Sequence, residues 1–139
     1  MTRTEFENKL ATICDNNPYT TYGFCLEYQF LNGRFAFSMK DNEWNFGGFA
    51  ITLMDLGPND EVSENHFKKL LTGLSALSLR MCRQAREDAK KMKRKERKTW
   101  ERFMTNASYS MMYVLQHIEE MMKQQHEREH CVLRCVQNP

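Results

Sequence analysis

The stretch from His126 to Cys135, HEREHCVLRC, holds the sequence's only cluster of potential metal ligands. His126 and His130 are four residues apart and share one face of a helix. Cys131 and Cys135 share another, roughly 140° around at 100° per residue. All four reach one zinc ion only if the helix ends between them, and the spacing is not that of a zinc finger. The reading here is a polar helix end with two half-buried thiols, and no metal ligand is assigned.

The second chemistry is electrostatic. Residues Arg80 to Arg102, RMCRQAREDAKKMKRKERKTWER, hold eleven of the twenty Lys and Arg against four acids. The formal charge is −4 before this block, +7 within it and −1 after it, so the overall +2 hides one concentrated cationic segment. At helical spacing its cations cover about half a cylinder, opposite Ala85, Ala89 and Met92. Such a face can neutralise successive phosphates, with a steep dependence on salt. Arginine adds bidentate phosphate contacts, and a tryptophan beside it could stack on a base. The expected partner-binding residues are Arg83, Arg86, Lys90, Lys91, Lys93, Arg94, Lys95, Arg97, Lys98 and Trp100. The partner is nucleic acid, slightly preferred, or an acidic protein surface. The bland alternative is a solvated face laced by Glu87, Asp88, Glu96 and Glu101 three or four positions from basic residues.

Nothing else in the sequence suggests chemistry. There is no phosphate-binding glycine loop and no nucleophile elbow, and no carboxylate has a partner that spacing forces into an acid–base pair. The chain therefore reads as a non-enzymatic binding protein without a cofactor. Ten methionines, six of them between Met92 and Met122, support a second function. In that reading the chain is a small adaptor or inhibitor that occludes a larger protein through the basic block and a soft Met-rich helix. The opening MTRTEFENK has no signal-like apolar stretch, and no run nears the ~18 apolar residues of a membrane span. Five scattered cysteines suit free thiols in a reducing compartment, so a cytoplasmic location and no membrane partner are expected.

These segments need elements to position them. Thr4 to Asp15 predicts a helix capped by Thr4, with Phe6, Leu10 and Ile13 in one stripe. Tyr22 to Leu31 alternates as a strand, and Asn32-Gly33 supplies a type I′ turn that sets Phe30 opposite Phe35 and Tyr28 opposite Phe37. A second turn at Asp41-Asn42 sets Met39 opposite Trp44 and Phe37 opposite Phe46. A bulge at Gly47-Gly48 then returns Phe49, Ile51 and Leu53 to the same face. The result is a meander from Tyr22 to Met54 with a buried aromatic face that includes Phe24, Leu26 and Trp44.

Ser63 caps a helix whose stripe runs Phe67, Leu70, Leu71, Leu74, Leu77 and Met81. The stripe narrows through the basic block and widens again at Trp100, Phe103, Ala107, Met111, Val114, Ile118 and Met122. One unbroken helix from Ser63 to Arg128 would be ~100 Å long. It is expected to break within Lys90 to Lys98 or near Thr105 to Ser108 and fold back. Otherwise it forms a homodimer through 103–122. Residues 131–139 are expected to be a short tail, within which 131–136 form a short edge strand or fray. The fold class is α+β in one domain, 1–139: a helix and meander over 1–60, then two or three long helices over 61–130.

Overall fold

The computed structural model describes residues 1–19, 24–31, 34–41 and 49–137, with side chains described for 1–19 and 56–131. Helix α1 spans Arg3–Asp15, and Thr2 rather than Thr4 caps it: its Oγ1 accepts from the Glu5 N–H at 3.1 Å. Phe6, Leu10 and Ile13 are buried, and Phe6 meets Phe67 edge-on with ring centres 5.6 Å apart.

Strands β1 (Phe24–Leu31), β2 (Arg34–Asp41) and β3 (Phe49–Asp55) pair antiparallel in the order β1-β2-β3. Phe30 stands opposite Phe35 and Tyr28 opposite Phe37. The second pairing differs from the expected one. Met39 faces Phe49 and Phe37 faces Ile51, not Trp44 and Phe46, and a register shift falls between Phe35 and Ala36. The expected turns at Asn32-Gly33 and after Asp41, the bulge at Gly47-Gly48, Trp44 and the side chains of the aromatic face lie outside the described residues.

Helix α2 runs Glu64–Lys90 and helix α3 runs Arg94–Gln137, 27 and 44 residues, or about 40 and 66 Å. Ser63 caps α2 with His66 as the reciprocal partner, the Ser63 N–H donating to His66 Nδ1 at 2.9 Å. The helices break at 91–93, where the Lys91 N–H turns back to Asp88 at 3.1 Å and the Met92 N–H to Ala89 at 3.2 Å. Thr105 to Ser108 lies within α3, and the helix continues past Cys131 to Gln137 where a tail or edge strand was expected. The two helices form an antiparallel hairpin. Its stripes close on each other: Phe67, Leu70, Leu74, Leu77 and Met81 from α2, and Trp100, Phe103, Ala107, Met111, Val114 and Ile118 from α3. The stripe that a homodimer would have covered is buried within one chain.

The expectation of an α+β protein built on a sheet's aromatic face is thereby corrected. Helices of 13, 27 and 44 residues make up most of the chain. Among the described side chains, every buried apolar residue lies on them, at Met1, or at Leu56 and Val62. The physical reason is the hairpin itself: once α2 and α3 fold back on each other, their own stripes close into a core between helices.

Two polar clusters tie the N-terminal segment to α3. The Met1 ammonium donates to Gln125 Oε1 at 2.9 Å and to the Val62 carbonyl at 3.3 Å. Buried Asn17 donates through Nδ2 to Ser110 Oγ at 2.8 Å and to the Ser110 carbonyl at 3.2 Å.

Candidate functional site

The α2–α3 turn carries the basic block to one end of the molecule. The last turns of α2 bring Arg83, Arg86 and Lys90, the turn brings Lys91 and Lys93, and the first turns of α3 bring Arg94, Lys95, Arg97 and Lys98. All nine are exposed. The acids of the block neutralise little of this charge. Lys90 pairs with Glu87 at 3.1 Å, while Asp88 Oδ1 accepts from Gln84 instead. Among the described residues, no ion pair engages Arg83, Arg86, Lys91, Lys93, Arg94, Lys95 or Lys98.

Two of the ten expected residues serve the fold. Trp100 is only 2% exposed. Its Nε1 donates to the Ala85 carbonyl at 3.1 Å, and its ring stacks on Phe103. The ring is core and has no face free for a base. Arg97 donates through Nε to the Ala89 carbonyl at 3.1 Å and through Nη2 to the Met92 carbonyl at 3.3 Å. It adds a second donor to the Ala89 carbonyl, which already accepts from the Met92 N–H, and supplies one to the Met92 carbonyl in the turn.

The cations on α2 lie at the negative end of its dipole, where they are stabilising. Those on α3 do not. The Lys93 carbonyl accepts from the Arg97 N–H at 2.9 Å, which makes Lys93 the N-cap of α3. Ser, Thr, Asp or Asn is preferred there, and cations oppose the positive dipole end. Only Glu96 is acidic in that first turn. The tip is therefore electrostatically unfavourable to fold and strongly attractive to anions.

The metal-capable segment lies at the opposite end, about 48 Å along α3. His126 and His130 are exposed with their rings 4.0 Å apart, and Cys131 is exposed; the Cys135 side chain lies outside the described residues. Sequence reasoning missed Glu64, whose Oε2 is 2.8 Å from His126 Nδ1. The His126 hydrogen bond holds the Glu64 carboxyl below its usual range. Residues 126–130 also spell H-E-x-x-H, the spacing that presents two imidazoles on one helix face to zinc. That signal was available, whereas Glu64, 62 residues upstream, carries no local mark.

Comparison with protein-family models, curated proteins and solved structures found no match. Among the described residues, no helix is long and apolar enough to cross a membrane.

Proposed function

We propose that the chain is a non-enzymatic nucleic-acid-binding protein whose hairpin tip contacts the phosphate backbone without reading base sequence. The observation that carries this reading is the set of unpaired cations at Lys93, Arg94, Lys95 and Lys98. They sit at a helix start where stability alone favours the opposite charge. The free N–H groups of that first turn add to the attraction for phosphate.

Two helices side by side are about 20 Å across, wider than the roughly 12 Å major groove of duplex DNA. The tip therefore rides on the phosphates and does not enter the groove. With Trp100 committed to the core, base stacking adds little. The adaptor reading draws less support, because Met104, Met111 and Met121 are buried and, of the six methionines from Met92 to Met122, Met112 alone stands exposed. Free thiols at Cys82 and Cys131 suit a cytoplasmic setting.

The test is fluorescence anisotropy on labelled duplexes of unrelated sequence over a range of salt. Comparable affinities are expected for all of them, with a log–log slope of about −0.9 per phosphate contact. Replacing Lys90, Lys91, Lys93, Arg94 and Lys95 with Gln should flatten the slope and leave the far-UV spectrum unchanged. Equal binding by the five-fold variant, or no binding by the native chain at low salt, overturns the reading.

A further inference from the structure

At the open end of the hairpin, far from the tip, Glu64 of α2 faces His126 and His130 of α3. One ligand atom from each lies within 4.8 Å of the other two. We propose that these three residues form a binding site for a zinc-like divalent ion, which clasps the start of α2 to α3.

The geometry comes close to what the metal requires. Bonds of about 2.0–2.2 Å in a tetrahedral arrangement place ligand atoms roughly 3.4 Å apart. The His126 Nδ1 to Glu64 Oε2 distance of 2.8 Å must open slightly, and the widest pair must close from at most 4.8 Å. Rotamer adjustments of partly exposed side chains cover both changes. The two histidines are one helical turn apart on a single rigid helix, so their spacing is set before any ion arrives.

Neighbouring residues hold Glu64 in place. The Glu129 carboxylate accepts from the Glu64 backbone N–H at 3.3 Å and from Gln125 Nε2 at 3.4 Å, which seats the first turn of α2 against α3. Lys68 lies 3.6 Å from Oε1, the other carboxylate oxygen, leaving Oε2 directed at the imidazoles. Such outer partners orient ligands and raise affinity.

Ligand chemistry selects the ion. Two imidazoles and one carboxylate suit zinc and its transition-metal neighbours, while magnesium and calcium prefer all-oxygen sets. Three protein ligands leave a fourth position for water or for exposed Cys131. The site is structural: the peptide turn joins the helices at one end, and the ion joins them at the other.

The experiment uses the full chain without an affinity tag, stripped of metal and kept reduced. Isothermal titration with zinc chloride is expected to give a stoichiometry of about one, and zinc but not magnesium should raise the melting temperature. Glu64→Ala and His126→Ala should each weaken binding by at least about ten-fold, while His117→Ala should not. Ring NMR signals of His126 and His130 in the native chain should shift on zinc addition, and those of His66 and His117 should stay, a readout that needs no variant to fold. The proposal is overturned by absence of saturable binding or by unmoved His126 and His130 signals. It is also overturned if binding survives Glu64→Ala and His126→Ala but is lost in Cys131→Ser/Cys135→Ser, which would assign the ion to the thiols.

Discussion

The indole N–H of Trp100 donates to the Ala85 carbonyl across 3.1 Å, linking the two arms of the hairpin about two helical turns from its charged end. The carbonyl belongs to the last turns of α2 and the ring to the second turn of α3. Their bond lets a tip crowded with like charge remain a defined surface.

Trp100→Phe retains most of the apolar burial and removes the donor, so a cost of about 0.5–1.5 kcal/mol is expected in urea unfolding. Trp100→Ala should cost about 3–5 kcal/mol through its cavity. Affinity for single-stranded DNA should change less than about three-fold in the Phe variant, because a ring buried in the core presents no face to a base. A ten-fold loss would return Trp100 to the binding surface.

Lys93→Asp installs a preferred N-cap and removes a cation from the positive end of α3. The fold should gain about 1 kcal/mol while nucleic-acid affinity falls. Opposite signs in the two assays are the expected signature of a position kept for binding at the expense of folding; a destabilised variant would refute the cap assignment.

Arg97 should behave unlike its neighbours. Arg97→Gln removes hydrogen bonds to the Ala89 and Met92 carbonyls and should cost about 0.5–1.5 kcal/mol. Arg97→Lys keeps the charge but cannot span both carbonyls with a planar fork, so it should restore little of that stability. Lys95→Gln should be close to neutral in the same measurement. Equal effects at 95 and 97 would count against the capping role.

Asn17→Ala leaves buried Ser110 without its donor and should cost about 1–3 kcal/mol. In a double-mutant cycle with Ser110→Ala the two losses should not add, because the pair shares one hydrogen-bonded cluster. Additive losses would place their effects elsewhere.

The helical hairpin was legible because its stripes repeat every three to four residues over seven turns or more, and Leu70, Leu74, Leu77, Val114 and Ile118 are fully buried as that period requires. The break at 91–93 was legible only as a range, since no glycine or proline marks it. The second strand pairing was misread because a two-residue turn after Asp41 satisfied the alternation just as well as pairing with Phe49–Asp55. Trp100 was assigned to the ligand surface because it neighbours charge; its carbonyl partner fifteen residues away leaves no trace in the local pattern. Glu64 was missed for the same reason across a longer separation.

The contacts of Met1 with Gln125 and of Asn17 with Ser110 bear on how the chain emerges during synthesis. At about 5–20 residues per second, roughly 5 to 20 s separate the appearance of α1 from that of its partners on α3. Throughout that interval Phe6, Leu10 and Ile13 have no completed surface to cover them. The packing of the N-terminal segment is therefore completed only when nearly the whole chain has been translated.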